Sequence, residues 1–250
     1  MNREQQLAEA LVGLADSLAD DVDPVVLLDR LALNCLDLVG ADAVGVMIAG
    51  RRGELRLMAA TDQSAALTEF FQLQIDEGPC VDCYRKSERI DAPDLDDSAH
   101  RWPHVAPYAR EHGFRAAHAL PMRVHHQTVG ALNLLLTTPG SLSPLDLHLA
   151  QALADVTTVA LVNWSPRTAN WSPQPLRPTD VSSSVQRAVA AKATVDIATG
   201  MIAEYGDLSL PDARSALGGW ATRSGRRLTE VAHGLVQRTV PLTDVLSAPR

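Results

Sequence analysis

The sequence predicts an α+β domain followed by a small all-helical one, and three observations carry that prediction. Helical and strand periods are mixed through the first 163 residues, a proline-rich break follows, and residues 185–240 return to a purely helical period. The expected organisation is an N-terminal helix over 1–22, a mixed domain over 23–163, a linker over 164–184, a three-helix domain over 185–240 and a tail over 241–250. In the mixed domain, helices are expected to flank an antiparallel sheet.

Arg3 to Leu18 is charged and helical in period, with an apolar row at Leu7, Leu11, Leu14 and Leu18. A second helix is expected over Pro24 to Val39, with proline tolerated in its first turn. Ala43 to Ile48 and Glu54 to Ala60 flank Arg51-Arg52-Gly53 and read as the two strands of a hairpin. Thr61 to Ala117 is expected to be rich in loops and short helices, where a ligand pocket would form. Two further strands, Ala117 to Val124 and Thr128 to Thr137, are joined at His125-His126-Gln127, read as an exposed turn. Ser143-Pro144-Leu145-Asp146 has the chemistry of a helix start, and that helix is expected to reach about Asn163. It carries one apolar stripe at Leu149, Leu153, Val156 and Ala160 and another at Leu145, Ala152 and Val159. One can pack on the sheet while the other meets a second chain, so a homodimer with a helical interface is expected.

Pro166, Pro173, Pro175 and Pro178 make residues 164–184 a semi-extended linker that spells Trp-Ser-Pro twice. Trp164 and Trp171 either dock on a protein surface or stand exposed. Beyond the linker, Val185, Ala188, Val195, Ala198, Ile202 and Tyr205 form a near-heptad seam with Lys192 as its charged member, so one face of that helix is expected to be buried. Ser209 is the expected N-cap of the next helix, with Pro211 in the first turn and Asp212 as an acidic variant of the capping box. That helix is expected to bury Leu210, Ala213, Leu217 and Trp220 and to end at Ser224-Gly225, where a left-handed residue is available. Leu228 and Thr229 then open a third helix packing Val231, Leu235 and Val236.

A chain of 250 residues with 46% hydrophobic and 21% charged content is not disorder-dominated. Its longest apolar runs, such as Ala43 to Ala49, fall short of the roughly 20 residues that span a bilayer. The charged N-terminus lacks the plan of a secretory signal, so a cytoplasmic location and no membrane partner are expected. Three cysteines make no disulfide framework and suit a reducing compartment. The net charge of −8 is unevenly divided: residues 180–250 hold eight basic and seven acidic side chains, leaving −9 on the rest. Nucleic acid is repelled by that acidic part, so any such contact is expected to be local to the C-terminal helices and dependent on salt.

Asp76-Glu77-Gly78-Pro79-Cys80, the segment around Trp102-Pro103-His104, and Gly130-Ala131-Leu132-Asn133 followed by a helix together resemble a GAF domain over roughly Asp23 to Asn163. That resemblance implies a small-molecule or redox sensory module with an input but no particular ligand or cofactor. The C-terminal segment resembles the ANTAR domain of antitermination regulators, in the order found in actinobacterial-type GAF–ANTAR proteins. Lys192 matches the basic position early in the first helix, and Arg187 is placed with it. Ala198 and Gly200 match an Ala-x-Gly step, Trp220-Ala221 an aromatic-Ala step, and Arg226-Arg227 the closing basic pair.

The ANTAR resemblance implies RNA binding, with paired stem-loops in mRNA leaders as partner and no DNA. Small residues permit close backbone approach, aromatic planes stack on loop bases, and guanidinium groups hold phosphate or base edges. Trp220 has a second reading as core. The chain departs from the family at Thr199, where lysine is usual, at Gly218-Gly219, where a basic pair is common, and at Gly225, where asparagine is common. Each change removes a charge or a hydrogen-bonding group, and two helical glycines cost roughly 2 kcal/mol against alanine. A dimeric sensor whose module no longer binds RNA is therefore the alternative.

Cys80 and Cys83 form a Cys-x-x-Cys with three readings: a metal site with downstream histidines, a redox-responsive pair at the sensor pocket, or packing thiols. A lone Cys-x-x-Cys leaves no metal in the expectation. Cys35 belongs to a helical core pattern. Asp76 and Glu77 are expected to cap the helix that starts near Cys80. No triad elbow, phosphate loop or HExxH appears, so no enzymatic role is expected.

Overall fold

The computed structural model describes residues 3–19, 22–164 and 178–246. Two helices, α1 (Arg3–Ala19) and α2 (Pro24–Val39), lead into a hairpin of β1 (Ala43–Ala49) and β2 (Leu55–Ala60). Helices α3 (Gln63–Ile75) and α4 (Pro79–Lys86), strand β3 (Ile90–Ala92) and helix α5 (Val105–Glu111) follow. Strands β4 (Ala116–Val124) and β5 (Gln127–Leu136) close the sheet in the order β2-β1-β5-β4-β3, with every neighbouring pair antiparallel. Then come α6 (Pro144–Asn163), α7 (Pro178–Gly206), α8 (Leu210–Arg223), α9 (Leu228–Val236) and α10 (Leu242–Leu246). This is the expected α+β fold with a helical C-terminal region.

Strand alternation sorts side chains by size onto the two faces. Val44, Val46, Ile48, Leu120, Met122, Leu132 and Leu134 form one core with α2 and α6. On the opposite face, Ala43, Ala117, Ala119 and Ala131 are small, and α3, α4 and α5 settle closely upon them. The caps follow sequence chemistry: Asp23, Asp62 and Ser143 accept backbone N–H groups at the starts of α2, α3 and α6. By length and apolar character, α6 is long enough to cross a membrane, and half of that stretch is buried within the fold. Its first apolar stripe packs inward, with Leu153 and Ala160 buried, whereas Leu145, Ala152 and Val159 are exposed.

The expected linker is helical from Pro178 onward, and residues 165–177, including Trp171, lie outside the described residues. Trp164 is docked: it is 5% exposed, and the Arg187 guanidinium donates to its carbonyl at 3.4 Å. A single 29-residue helix, α7, serves two cores. Val181, Val185, Ala188 and Val189 join the sheet-side core, while Val195, Ala198 and Ile202 meet Ala213, Leu217, Val231 and Leu235 in a third.

Two apolar residues depart from expectation. Tyr205 is 59% exposed because α7 ends one residue later and the chain turns away before anything can cover it. Leu210, 62% exposed, opens α8 directly after the Ser209 cap, ahead of the Ala213, Leu217 and Ala221 face that packs on α7. Within the expected tail, α10 buries Val245, and residues 247–250 lie outside the described residues. In the α1 row, Leu14 is buried and Leu7 half-buried, and the side chains of Leu11 and Leu18 lie outside the description.

Candidate functional site

Helix α3 is polar on the inside. Thr68, Glu69 and Gln72 are buried, while Leu67 and Phe70 point outward, 40% and 53% exposed. Glu69 lies against β1 at Gly45, where a β-carbon would collide with its side chain, so the glycine makes room for the carboxylate. Asn133 Nδ2 donates to Glu69 Oε1 at 2.5 Å, Gln72 Nε2 donates to Oε2 at 3.0 Å, and Gln72 Oε1 accepts from Cys80 N at 3.2 Å. Burial raises the Glu69 carboxyl to about 7, against the opposing pull of the Asn133 and Cys80 bonds. Thr68 Oγ1 and Asn133 Oδ1 are buried and find no partner among the described residues. A buried carboxyl near neutrality beside unsatisfied polar atoms makes this polar cluster the candidate site of the domain.

The Cys-x-x-Cys borders this cluster as two buried free thiols. Burial pushes Cys83 up to about 12 and Cys80 well above its ordinary value, with Glu69 and Cys83 adding to the rise at Cys80. Such thiols are protonated and shielded, which favours packing over redox chemistry. Cys35 is likewise buried and pushed up to about 12 by desolvation. No group of three or more metal-ligating side chains occurs among the described residues. Glu77 does not cap α4, whose N-cap is Gly78 without a side-chain bond. It caps α5 instead, accepting from His104 N at 2.9 Å and Val105 N at 3.0 Å and pairing with His104 Nδ1 at 3.0 Å. Asp76 pairs with Arg85. Glu77 can reach α5 because Gly78, at φ 126°, turns the chain between α3 and α4.

A profile of the GAF domain matches residues 23–161. The chain belongs to the GAF family. Its GAF domain spans α2 to α6, and the match ends ahead of α7. Among solved structures it is similar to the GAF domain of the Acinetobacter phosphoenolpyruvate-protein phosphotransferase, at 13% identity over 76% of this chain and 97% of that one, TM-score 0.49. It is also similar to the GAF domain/HD domain protein of Geobacter sulfurreducens, at 19% identity over 57% and 94%, TM-score 0.47. A third is the free methionine-R-sulfoxide reductase of Neisseria meningitidis in complex with its substrate, at 16% identity over 64% and 90%, TM-score 0.49. No curated protein matches the chain.

The C-terminal residues singled out in sequence fall into two groups. Trp220, Ala221, Arg226 and Arg227 gather at the α8–α9 turn, where Gly225 adopts φ 62°. Arg226 lies over the Trp220 ring, 5.9 Å from its centroid. Trp220 is half-buried, one side on the core and one towards solvent, whereas Ala221 is buried. Ala198 is buried in the same core from α7, and Gly200 is half-buried with open space beside it. Arg187 lies in the first half of α7 and Lys192 at its midpoint. Arg187 donates to Ser184 Oγ at 2.8 Å, and Lys192 pairs with Asp196 at 2.5 Å. Lys192, Asp196 and Thr199 line a groove of about 1090 Å³ between α7, α8 and the β2–α3 side of the GAF domain.

Glu69 and Gln72 were not among the expected site residues. The sequence carries no signal for them, because their burial depends on the small strand residues opposite, which are distant in sequence.

Proposed function

We propose that this protein is an RNA-binding transcription antitermination regulator in which the GAF domain senses an input and governs an ANTAR-like C-terminal module. The observation that carries the reading is the convergence of Trp220, Arg226 and Arg227 at one turn, with Arg226 against the Trp220 ring. An aromatic face and two guanidinium groups on a single turn suit a splayed loop base and its phosphates. We place the input at the Glu69, Gln72 and Asn133 cluster. The exposed Leu145, Ala152 and Val159 stripe of α6 supports a homodimer, which would present two modules to paired hairpins in an mRNA leader. Free thiols suit a cytoplasmic setting. We assign the chain no catalytic role and no membrane or DNA partner.

A second reading rests on Arg187 and Lys192, which are tied to Ser184 and Asp196 and lie away from the turn. With Thr199 and Gly218-Gly219 uncharged, the module would then serve dimer or protein contacts without RNA. Binding of the full chain to paired-hairpin RNA across a salt series, beside the same stems with scrambled loops, decides between the two. On the RNA reading, loop-specific binding is lost in the Arg226→Ala/Arg227→Ala variant and the salt slope falls by roughly 2. Equal or absent binding to both RNAs overturns it.

A further inference from the structure

The N-terminal end of α2 joins the GAF domain to the C-terminal helices. Asp23, 5% exposed, caps its own helix by accepting from Val25 N at 3.0 Å through Oδ1. Its other oxygen accepts from Thr229 N at 2.7 Å, across 206 residues of sequence. Thr229 lies in the first turn of α9, whose N-cap, Arg227, supplies no side-chain acceptor. One carboxylate therefore serves two helix N-termini, both of which favour an anion. Six residues further along α2, Asp29 pairs with Arg214 of α8 at 2.8 Å. Between these anchors Val25 is fully buried in the C-terminal core. Arg227, two residues from Thr229, has a side chain only 13% exposed, with Nε 3.8 Å from Glu230.

We propose that Asp23 and Asp29 form a latch by which the GAF domain restrains the RNA-reading turn, and that RNA engages Arg227 fully only after α8 and α9 leave α2. The inference rests on the RNA reading and names its regulation. While the latch is closed, the Asp23 carboxylate occupies the end of α9 that phosphate would approach, and Arg227 stays covered. Opening removes two carboxylates from that surface and uncovers the guanidinium. A latch that keeps most molecules closed lowers the apparent RNA affinity by the open fraction. An open fraction of about one in ten makes that penalty about 10-fold.

The test uses Asp23→Ser and Asp29→Ala, singly and combined, in the full chain. Serine still caps α2 but has one short oxygen, which cannot also reach Thr229. Three readouts are taken: phenylglyoxal labelling of Arg227 with exposed Arg226 as internal reference, amide exchange of α2 and of the first turn of α9, and affinity for paired-hairpin RNA. In the double variant, Arg227 labelling quickens and RNA affinity rises, each about 10-fold, while α2 keeps its amide protection. Unchanged labelling overturns the latch, as does faster labelling with equal or weaker RNA binding, which would make the contacts a scaffold for α9. If neither protein binds RNA, the RNA reading fails by itself. Labelling then decides the latch alone: faster supports it and unchanged overturns it.

Discussion

Glu69 offers a quantitative test of the buried polar cluster. Its carboxyl is raised from 4.5 to about 7 by burial, so the folded chain holds its proton more tightly than the unfolded chain does. The resulting stability is fully present below the unfolded value of 4.5 and is lost as pH rises through about 7. At 1.36 kcal/mol per unit the full loss is on the order of 3 kcal/mol, of which about 2 falls between pH 5.5 and 8.5. Glu69→Gln removes this titration. It sets an amide donor against the Gln72 Nε2 donor, a pH-independent loss of about 1 kcal/mol. Urea unfolding followed through tryptophan fluorescence, with Trp102 buried in the same core, gives both stabilities across that window. The variant should gain on the wild type by about 2 kcal/mol from pH 5.5 to 8.5, because titrations common to both proteins cancel in the difference. A difference that stays flat across the window would refute the raised carboxyl and the case for this cluster as the candidate site.

The C-terminal glycines separate fold from function: Gly218→Ala and Gly200→Ala each place a β-carbon in open space and should each stabilise the chain by up to about 1 kcal/mol in urea unfolding. Under the RNA reading Gly200→Ala also weakens hairpin binding by blocking close approach, and destabilisation by either change would contradict the packing described. The three buried thiols should resist iodoacetamide in the native state and react together in denaturant, and rapid native alkylation of Cys80 or Cys83 would revive the redox reading. Glu77→Ala should cost about 1 kcal/mol at neutral pH through the uncapped start of α5. Although burial opposes it, the His104 side chain and the Val105 and His104 amides hold the Glu77 carboxyl below its ordinary value. That stabilisation is present above 4.5 and fades as pH falls, so wild type and Glu77→Ala should converge in acid, and a gap that widens there would be the wrong sign.

Local chemistry made most of the elements legible. α2 runs over Pro24 to Val39 as expected, bounded by the Asp23 cap and left-handed Gly40, and the Ser209 and Ser143 caps mark the true starts of α8 and α6. What escaped was set by contacts distant in sequence. The three residues of β3 exist only because β4 pairs with them. Prolines suggested an extended connection up to residue 184, yet α7 starts at Pro178, where proline suits a helical first turn, and Val181 and Val185 gain burial against the sheet-side core. At the candidate site, the Trp220 to Arg227 turn was legible from residue order. The inward polar face of α3 was not, because ordinary amphipathic reasoning turns Phe70 inward and Glu69 outward.

The arrangement gives α2 a double role that neither domain's sequence announces. One face, with Leu28, Leu31 and Cys35, packs with Val44, Val46 and Ile48 of β1, and the other end supplies Val25, Asp23 and Asp29 to the C-terminal helices. Gly45, between Val44 and Val46 on that strand, faces Glu69 on the opposite side of the sheet. A single strand therefore separates the buried carboxyl from the helix that holds α8 and α9. Close-packed layers of this kind resist gradual deformation, so a change in charge or occupancy at Glu69 has a short, stiff route to the Asp23 cap. Proximity alone does not make that route a switch. It does make α2, more than the prolines before α7, the element through which a sensory input would reach the α8–α9 turn.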